Sequence, residues 1–374
     1  MMNSINIKKI FPVVFFSILC YSCRGSVNDS ITNPESTPEK IITFVFAGDI
    51  MSHSPQVAAA YLPQSNSYDF SPCFRFVKLY IEQADLAVAN LEAPLAGKPY
   101  SGYPFFSMPD EMAIASIDAG FDVLLTANNH AADKGKKGLF RTLAVLSGKV
   151  KHTGSFENIA QRDSIYPLIV NVKGLKTAVL NCTYDLNGNI LPEPALVNLI
   201  DTAEIATDIK TAKERGAEFI IMCIHWGNEY TQESSFDQKN LAQFMANEGV
   251  NLIIGSHPHV VQEFNVIYGK DSIAVPVFYS LGNLLSNQRE RYKNGGVLAK
   301  VEVNSGNGKI VSCTYMPLFL YKGILNGKYQ YYLLQTPDYI SDKIAVKLNK
   351  ENDFLLKQFD ADTKQRLQNI NEWQ

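Results

Sequence analysis

The chain has 374 residues, 46% of them hydrophobic and 19% charged, with a net charge of −3 at pH 7. That length can bury a large core, as one domain with appendages or as two smaller domains. The charge balance excludes a global attraction to nucleic acid or another polyanion, so an anionic substrate would need a local feature such as a metal.

Taken in chain order, Lys8 and Lys9 precede an apolar run over 10–19, followed by small and polar residues. This is the pattern of a secretory signal. The run falls short of the about 20 apolar residues that a membrane span needs. Cys23 closes the stretch Ile18-Leu19-Cys20-Tyr21-Ser22-Cys23. That stretch resembles a loose bacterial lipobox, with its leucine one place early, in which the cysteine becomes the acylated first residue. Residues 1–23 therefore read as a signal peptide with a lipobox. They predict an exported bacterial lipoprotein held at the cell-envelope membrane through Cys23; plain cleavage to a soluble product is the alternative. Residues 24–40 are polar and carry prolines, which predicts a flexible tether. Past the leader, Cys73, Cys182, Cys223 and Cys313 are widely spaced and lack metal-type pairs.

From residue 41 short apolar runs recur at 41–47, 86–89, 123–126, 178–181, 219–224, 252–254 and 275–279. They read as buried parallel strands. Helical spacing fills 73–83, 110–119, 139–146, 205–215 and 238–248. Strands alternating with helices predict an α/β sheet protein. Runs at 296–303 and 309–316 alternate and predict antiparallel strands. The main domain is expected over 41–322, with a charged and partly helical C-terminal appendage over 323–374.

Ligands in open α/β sheets bind beyond the carboxyl ends of the strands. Those ends here read Gly48-Asp49-Ile50-Met51-Ser52-His53, Asn90-Leu91-Glu92, Asn128-Asn129-His130 with Asp133 beyond, His225-Trp226-Gly227-Asn228-Glu229, Gly255-Ser256-His257-Pro258-His259 and Ser280-Leu281-Gly282-Asn283. Five of the six histidines, all but His152, fall there. Joined by Asp49, Glu92 and Asn129, they predict a metal site. Imidazole, carboxylate and amide oxygen without thiolate suit Mn, Fe or Zn. The donors exceed the needs of one ion, and two ions roughly 3.5–4 Å apart with a shared carboxylate would use them.

In that order the motifs resemble the calcineurin-like metallophosphoesterases. More closely, over 42–285, they resemble the CapA branch, the capsule or poly-γ-glutamate synthesis proteins. The resemblance implies a metallophosphoesterase-like four-layer α/β/β/α sandwich with two divalent transition-metal ions. Asp49, Glu92 and His259 would hold one ion; Glu92, Asn129, His225 and His257 would hold the other. His130 would be the general acid, with Asp133 as a possible orienting partner. The sequence departs from the wider superfamily at Met51, where a histidine is usual, and His53 is the candidate replacement or a substrate contact. Asn128 stands for a glycine and Glu92 for an aspartate. Trp226, Glu229 and Asn283 are candidate substrate contacts, against packing, a surface charge and an ordinary turn.

The function expected is a cell-envelope, metal-dependent hydrolase of phosphoesterase type, acting in synthesis or processing of a capsule or poly-γ-glutamate polymer. The expected partners are that polymer or its precursor, the membrane through the lipid anchor, and capsule-synthesis proteins, with no nucleic acid. A non-catalytic, membrane-anchored assembly or export factor is the alternative.

Overall fold

The computed structural model describes residues 40–373 apart from Asn326, and Asp271 by its backbone alone. The expected signal peptide, Cys23 and the expected tether up to residue 39 lie outside the described residues. The principal strands are β1 (Ile41–Ile50), β2 (Leu86–Leu91), β3 (Val123–Leu125), β4 (Lys151–Thr153), β5 (Leu168–Val172), β6 (Leu175–Thr183) and β7 (Phe219–His225). They continue as β8 (Leu252–Ser256), β9 (Phe264–Tyr268), β10 (Ala274–Phe278), β11 (Asn283–Leu285), β12 (Gly295–Asn304), β13 (Ile310–Leu325) and β14 (Lys328–Gln335).

They form two sheets. The first is ordered β14-β13-β12-β1-β2-β3-β4, with β11 beside the end of β1; the second is β9-β10-β8-β7-β6-β5. From β1 to β4 the first sheet is parallel, while β12 and β13 run antiparallel. In the second sheet β6, β7, β8 and β10 are parallel, flanked by antiparallel β5 and β9.

Residues 44–50 of β1 are all buried. A strand without polar alternation must be covered on both faces, and its successive side chains enter two different cores. Phe44 and Phe46 face the second sheet, where they join Val179, Phe219 and Ile221. Val45 faces the other way, with Met112 and Ala115 of the helix Asp110–Asp118. The outer face of the second sheet presents Leu180, Met222 and Ile253 to the helices Thr202–Glu214 and Phe236–Glu248. The result is the α/β/β/α sandwich. The second of these helices is bounded by its own sequence. Ser235 and Gln238 form a reciprocal capping box at its start, and Gly249, at φ 102°, ends it in the left-handed conformation.

The sandwich continues past residue 322. β13 crosses that position, β14 forms the sheet edge, and Leu356, Phe359 and Leu367 join the core between the sheets. Asn371–Glu372 adds a short parallel pairing to β13. The region is helical over Lys350–Arg366. Its charged composition hides one apolar stripe, which is what docks it. No helix among the described residues is long and apolar enough to cross a membrane.

Between the sheets the rings of Phe44 and Phe219 stack with centroids 5.6 Å apart. Phe219→Ala should therefore lower unfolding free energy by about 3–5 kcal/mol. A denaturant titration that finds under about 1 kcal/mol would mean the sheets do not pack tightly there.

Candidate metal centre

The parallel strands of both sheets point their carboxyl ends toward one end of the sandwich. β1 delivers Asp49 and β2 delivers Glu92, while the loop after β3 brings Asn129 and His130. β7 ends on His225, and the loop after β8 carries His257 and His259. Close approach depends on two glycines. A Cβ on Gly48 would lie 1.9 Å from the Gly282 carbonyl, and one on Gly255 would lie 1.9 Å from that of Tyr279. His257 and His259 adopt φ of 100° and 58°. A left-handed backbone is costly for such residues and persists where surrounding structure enforces it, typically at functional sites. Here it turns both imidazoles into the same space.

The donors fall into two groups that share one carboxylate. Glu92, His225 and His257 form one; Asp49, Glu92 and His259 form the other, with candidate ligand atoms within 4.8 Å of one another in each. Glu92 Oε1 lies 3.4 Å from His225 Nε2 and 3.6 Å from His259 Nε2. Asn129 Oδ1 lies 3.0 Å from His225 Nε2, beside the first group. Asp49 is fixed by Asn90 Nδ2, which donates at 2.8 Å, by the His257 backbone N–H at 3.3 Å, and by His259 Nδ1 at 3.1 Å. Ser256 Oγ sits 2.8 Å from His225 Nδ1 and holds that ring's other edge.

Electrostatics at the centre call for positive charge. Burial, then the neighbouring Asp49 carboxylate, drives the Glu92 carboxyl well above the usual range. Burial would also raise Asp49, but hydrogen bonding and charge from His259 prevail and hold it at about 2. Burial pushes His225 well below the usual imidazole value and His257 down to about 3, so both rings are neutral, as ligation requires. Both Glu92 oxygens are fully buried and accept no hydrogen bond, and His257 Nδ1 is also unpartnered. Leaving such groups buried and unpaired is expensive. A divalent transition metal in each group would satisfy these atoms, and the oxygen–nitrogen donor set suits it.

His130 stands beside the groups rather than in them. Its Nδ1 is 2.8 Å from Asp133 Oδ2, which also accepts the Phe106 backbone N–H at 2.8 Å. The Phe106 ring meets the imidazole edge-on with centroids 4.7 Å apart. Position and rotation of this histidine are both fixed.

Three of the candidate residues, His53, Trp226 and Asn283, meet surroundings other than the ions or a substrate. His53 lies outside both donor groups; its Nδ1 is 3.3 Å from Gln56 Oε1 and receives the Asn287 backbone N–H at 3.3 Å. It begins the helix Ser54–Ala60 and does not fill the place that Met51 leaves. Trp226 is buried, donates to the Tyr279 carbonyl at 2.9 Å and stacks on the Tyr279 ring, which is the packing alternative. Asn283 is buried with its amide nitrogen given to the carbonyls of His259 and Lys293 and to Gln288, which makes it a brace for the His259 loop. Glu229 is exposed on the loop after β7. Asn90, Ser256 and Asn187 make contacts at the centre although none of them stands out as a site residue in the sequence. Asn90 and Ser256 do stand inside the strand-end motifs, whereas Asn187 lies outside all of them.

Residues 43–288 match the family model described as bacterial capsule synthesis protein PGA_cap. The capsule biosynthesis protein CapA of Bacillus anthracis is 31% identical over 267 residues, covering 66% of this chain and 60% of that protein. The chain thus spans less than two thirds of that relative's length. The PGA biosynthesis protein CapA of Bacillus subtilis is 25% identical over 287 residues, 74% of this chain and 71% of that one. Among solved structures, the Haemophilus influenzae NAD nucleotidase superposes with a TM-score of 0.50 at 14% identity, covering 87% of this chain and 68% of that one, a likeness of fold.

Because Glu92 belongs to both groups, the two-ion arrangement has a stoichiometric signature. Elemental analysis of the full chain supplied with Mn²⁺ or Zn²⁺ should find about two equivalents of metal. Glu92→Ala should lose nearly all of it, and His257→Ala about half. Equal retention in both variants, or an empty wild-type protein, would sink the arrangement.

Proposed function

The chain belongs to the family of bacterial capsule synthesis proteins, and from that premise we propose that it is a cell-envelope, metal-dependent hydrolase of phosphoesterase type. Its substrate in this reading is a capsule or poly-γ-glutamate polymer or a phosphorylated precursor of one. It is held to the membrane through an acyl group on Cys23 and works beside other capsule-synthesis proteins. The observation that carries the reading is the shared Glu92 carboxylate, buried and unpaired between two sets of imidazole and carboxylate donors.

In this proposal Asp49, Glu92 and His259 hold one divalent ion, and Glu92, Asn129, His225 and His257 hold the other. Bound there, such ions activate water and offset the negative charge that develops on a phosphoryl group. The remaining work belongs to the chain itself. Asn90 and Ser256 hold Asp49 and His225 in orientation. Asp133 holds His130 through Nδ1, leaving Nε2 to give its proton to the departing oxygen. Asp133 is kept in turn by the Phe106 amide, so the acid is placed before any substrate arrives. Burial of Asp49, Glu92 and His225 keeps bulk water away from these groups and strengthens each charge interaction.

Loss of a general acid matters most when the leaving group is poor. His130→Ala should reduce kcat on an alkyl phosphodiester by about 10²–10⁴-fold. The loss should be much smaller on a p-nitrophenyl ester, with metal content unchanged. Full activity on both esters would remove His130 from that role. A fully metallated wild-type protein that turns over no phosphoester or amide would point to the assembly-factor reading instead.

A further inference from the structure

One loop joins the metal centre to a second feature of the surface. Between Tyr100 and Phe106 the sequence reads Tyr-Ser-Gly-Tyr-Pro-Phe-Phe. Phe106 is its inner end, buried edge-on against His130 and 5.1 Å from the His53 ring. Phe105 and Tyr103 follow outward with 52% and 74% of their surfaces exposed, an unusual cost for aromatic side chains on one short loop. Tyr100 is its outer end, and it lines a cavity of about 370 Å³ beside the helix Ser54–Ala60.

Tyr61, Tyr68 and Tyr100 wall that cavity, and Ser54 and Ser101 add hydroxyls. The Tyr61 and Tyr68 rings are 5.4 Å apart, and Tyr68 meets Tyr100 edge-on at 5.2 Å. The walls are held before any ligand comes. Ser101 and Ser107 exchange backbone hydrogen bonds at 3.1 and 2.9 Å, and Ser101 Oγ donates to the Phe105 carbonyl at 2.6 Å. The Gly102 amide donates to Ser54 Oγ at 3.2 Å. A Cβ on Gly102 would lie 2.7 Å from the Ser54 nitrogen, so the loop reaches the helix because this residue is glycine. Rigid aromatic walls bind at low entropic cost.

The lining selects the ligand. None of the residues that line the cavity is charged. A chain of carboxylates would give up its hydration there and meet no cation. Ring faces flanked by hydroxyls suit instead a ligand with an apolar ring face and a polar edge. The volume stands at the lower end of the roughly 300–1,000 Å³ of small-ligand sites. We propose that this three-tyrosine cavity binds a neutral sugar unit of the envelope polymer, with the 100–106 loop leading from it to the metal centre. The source of that polymer rests on the proposed capsule function; the chemistry of the cavity does not.

The test is calorimetric titration of maltohexaose, cellohexaose and chitohexaose, which carry no phosphoester bond, into the full chain carrying His130→Ala, in which turnover is slowed. A hexamer of γ-linked glutamate serves as the anionic contrast. At least one neutral hexamer should bind, with an affinity that added salt leaves in place. Tyr68→Ala and Tyr100→Ala should each weaken it roughly tenfold, the scale of losing one aromatic contact. Tyr100→Phe should retain it, and Tyr61→Ala, at the exposed rim, gives the same reading if either inner variant fails to fold. Binding by none of the three sugars, binding by the glutamate hexamer alone, or binding that every tyrosine-to-alanine variant leaves untouched overturns the proposal. Because the readout needs no hydrolysis, such a result leaves the hydrolase reading standing, and an inactive wild-type protein would leave a positive titration standing.

Discussion

Glu92 is the constraint on which the rest of the structure turns. Its carboxylate is wholly buried, accepts no hydrogen bond, and lies within 3.6 Å of imidazoles from two different strand ends. Desolvating a carboxylate without compensation costs several kcal/mol, so burial drives the group toward its neutral form, and a cation between the two sets of donors is what would let it ionise. The remaining geometry works to bring those donors together. Two sheets must direct their strand ends at one point, which explains why the donor-bearing strands pair in parallel, through β1–β4 in one sheet and through β6, β7, β8 and β10 in the other, with antiparallel β12 and β13 beside β1 and antiparallel β5 and β9 at the edges of the second sheet. Glycine at 48 and 255 lets backbones approach within the radius of a side chain. Strain is stored next to the centre, in the left-handed His257 and His259, and the hydrogen bonds of Asn283 to the surrounding loops hold it there.

Much of this was legible in the sequence because it is written in local order. Uninterrupted apolar runs mark strands covered on both faces, and the residues directly after each run are those the strand delivers. The five residues of the two donor groups and their Asn129 neighbour all occupy such positions, as do His130 and Asp133. The part that stayed hidden depends on which side of a strand end a residue takes. Trp226 directly follows His225 in the chain, yet its ring turns under the second sheet toward Tyr279. Nothing in residue type separates a stacked indole that packs from one that binds. His53 failed as a ligand for a similar reason, since the chain after Met51 turns at once into a helix and Gln56 and Asn287 engage the ring.

Division into two sheets was equally hidden. A run such as 219–224 reads as buried whichever sheet it joins, and only packing puts Phe219 against Phe44. The region beyond 322 misled in the other direction. Its charge obscures Leu356 and Phe359, spaced three apart on one face of the helix Lys350–Arg366 and inserted into the core between the sheets.

The path of β1 sets one more relation. It begins at Ile41, beside Asn304 in β12, and reaches the metal donors at Asp49 without leaving the sheet. At about 3.3 Å per residue, that is a rise of roughly 25–30 Å across the sandwich. Ile41 and Asp49 therefore stand at opposite ends of the sandwich, and every residue between them is held in the sheet, so the position of the first donor is set by the full length of the strand that carries it.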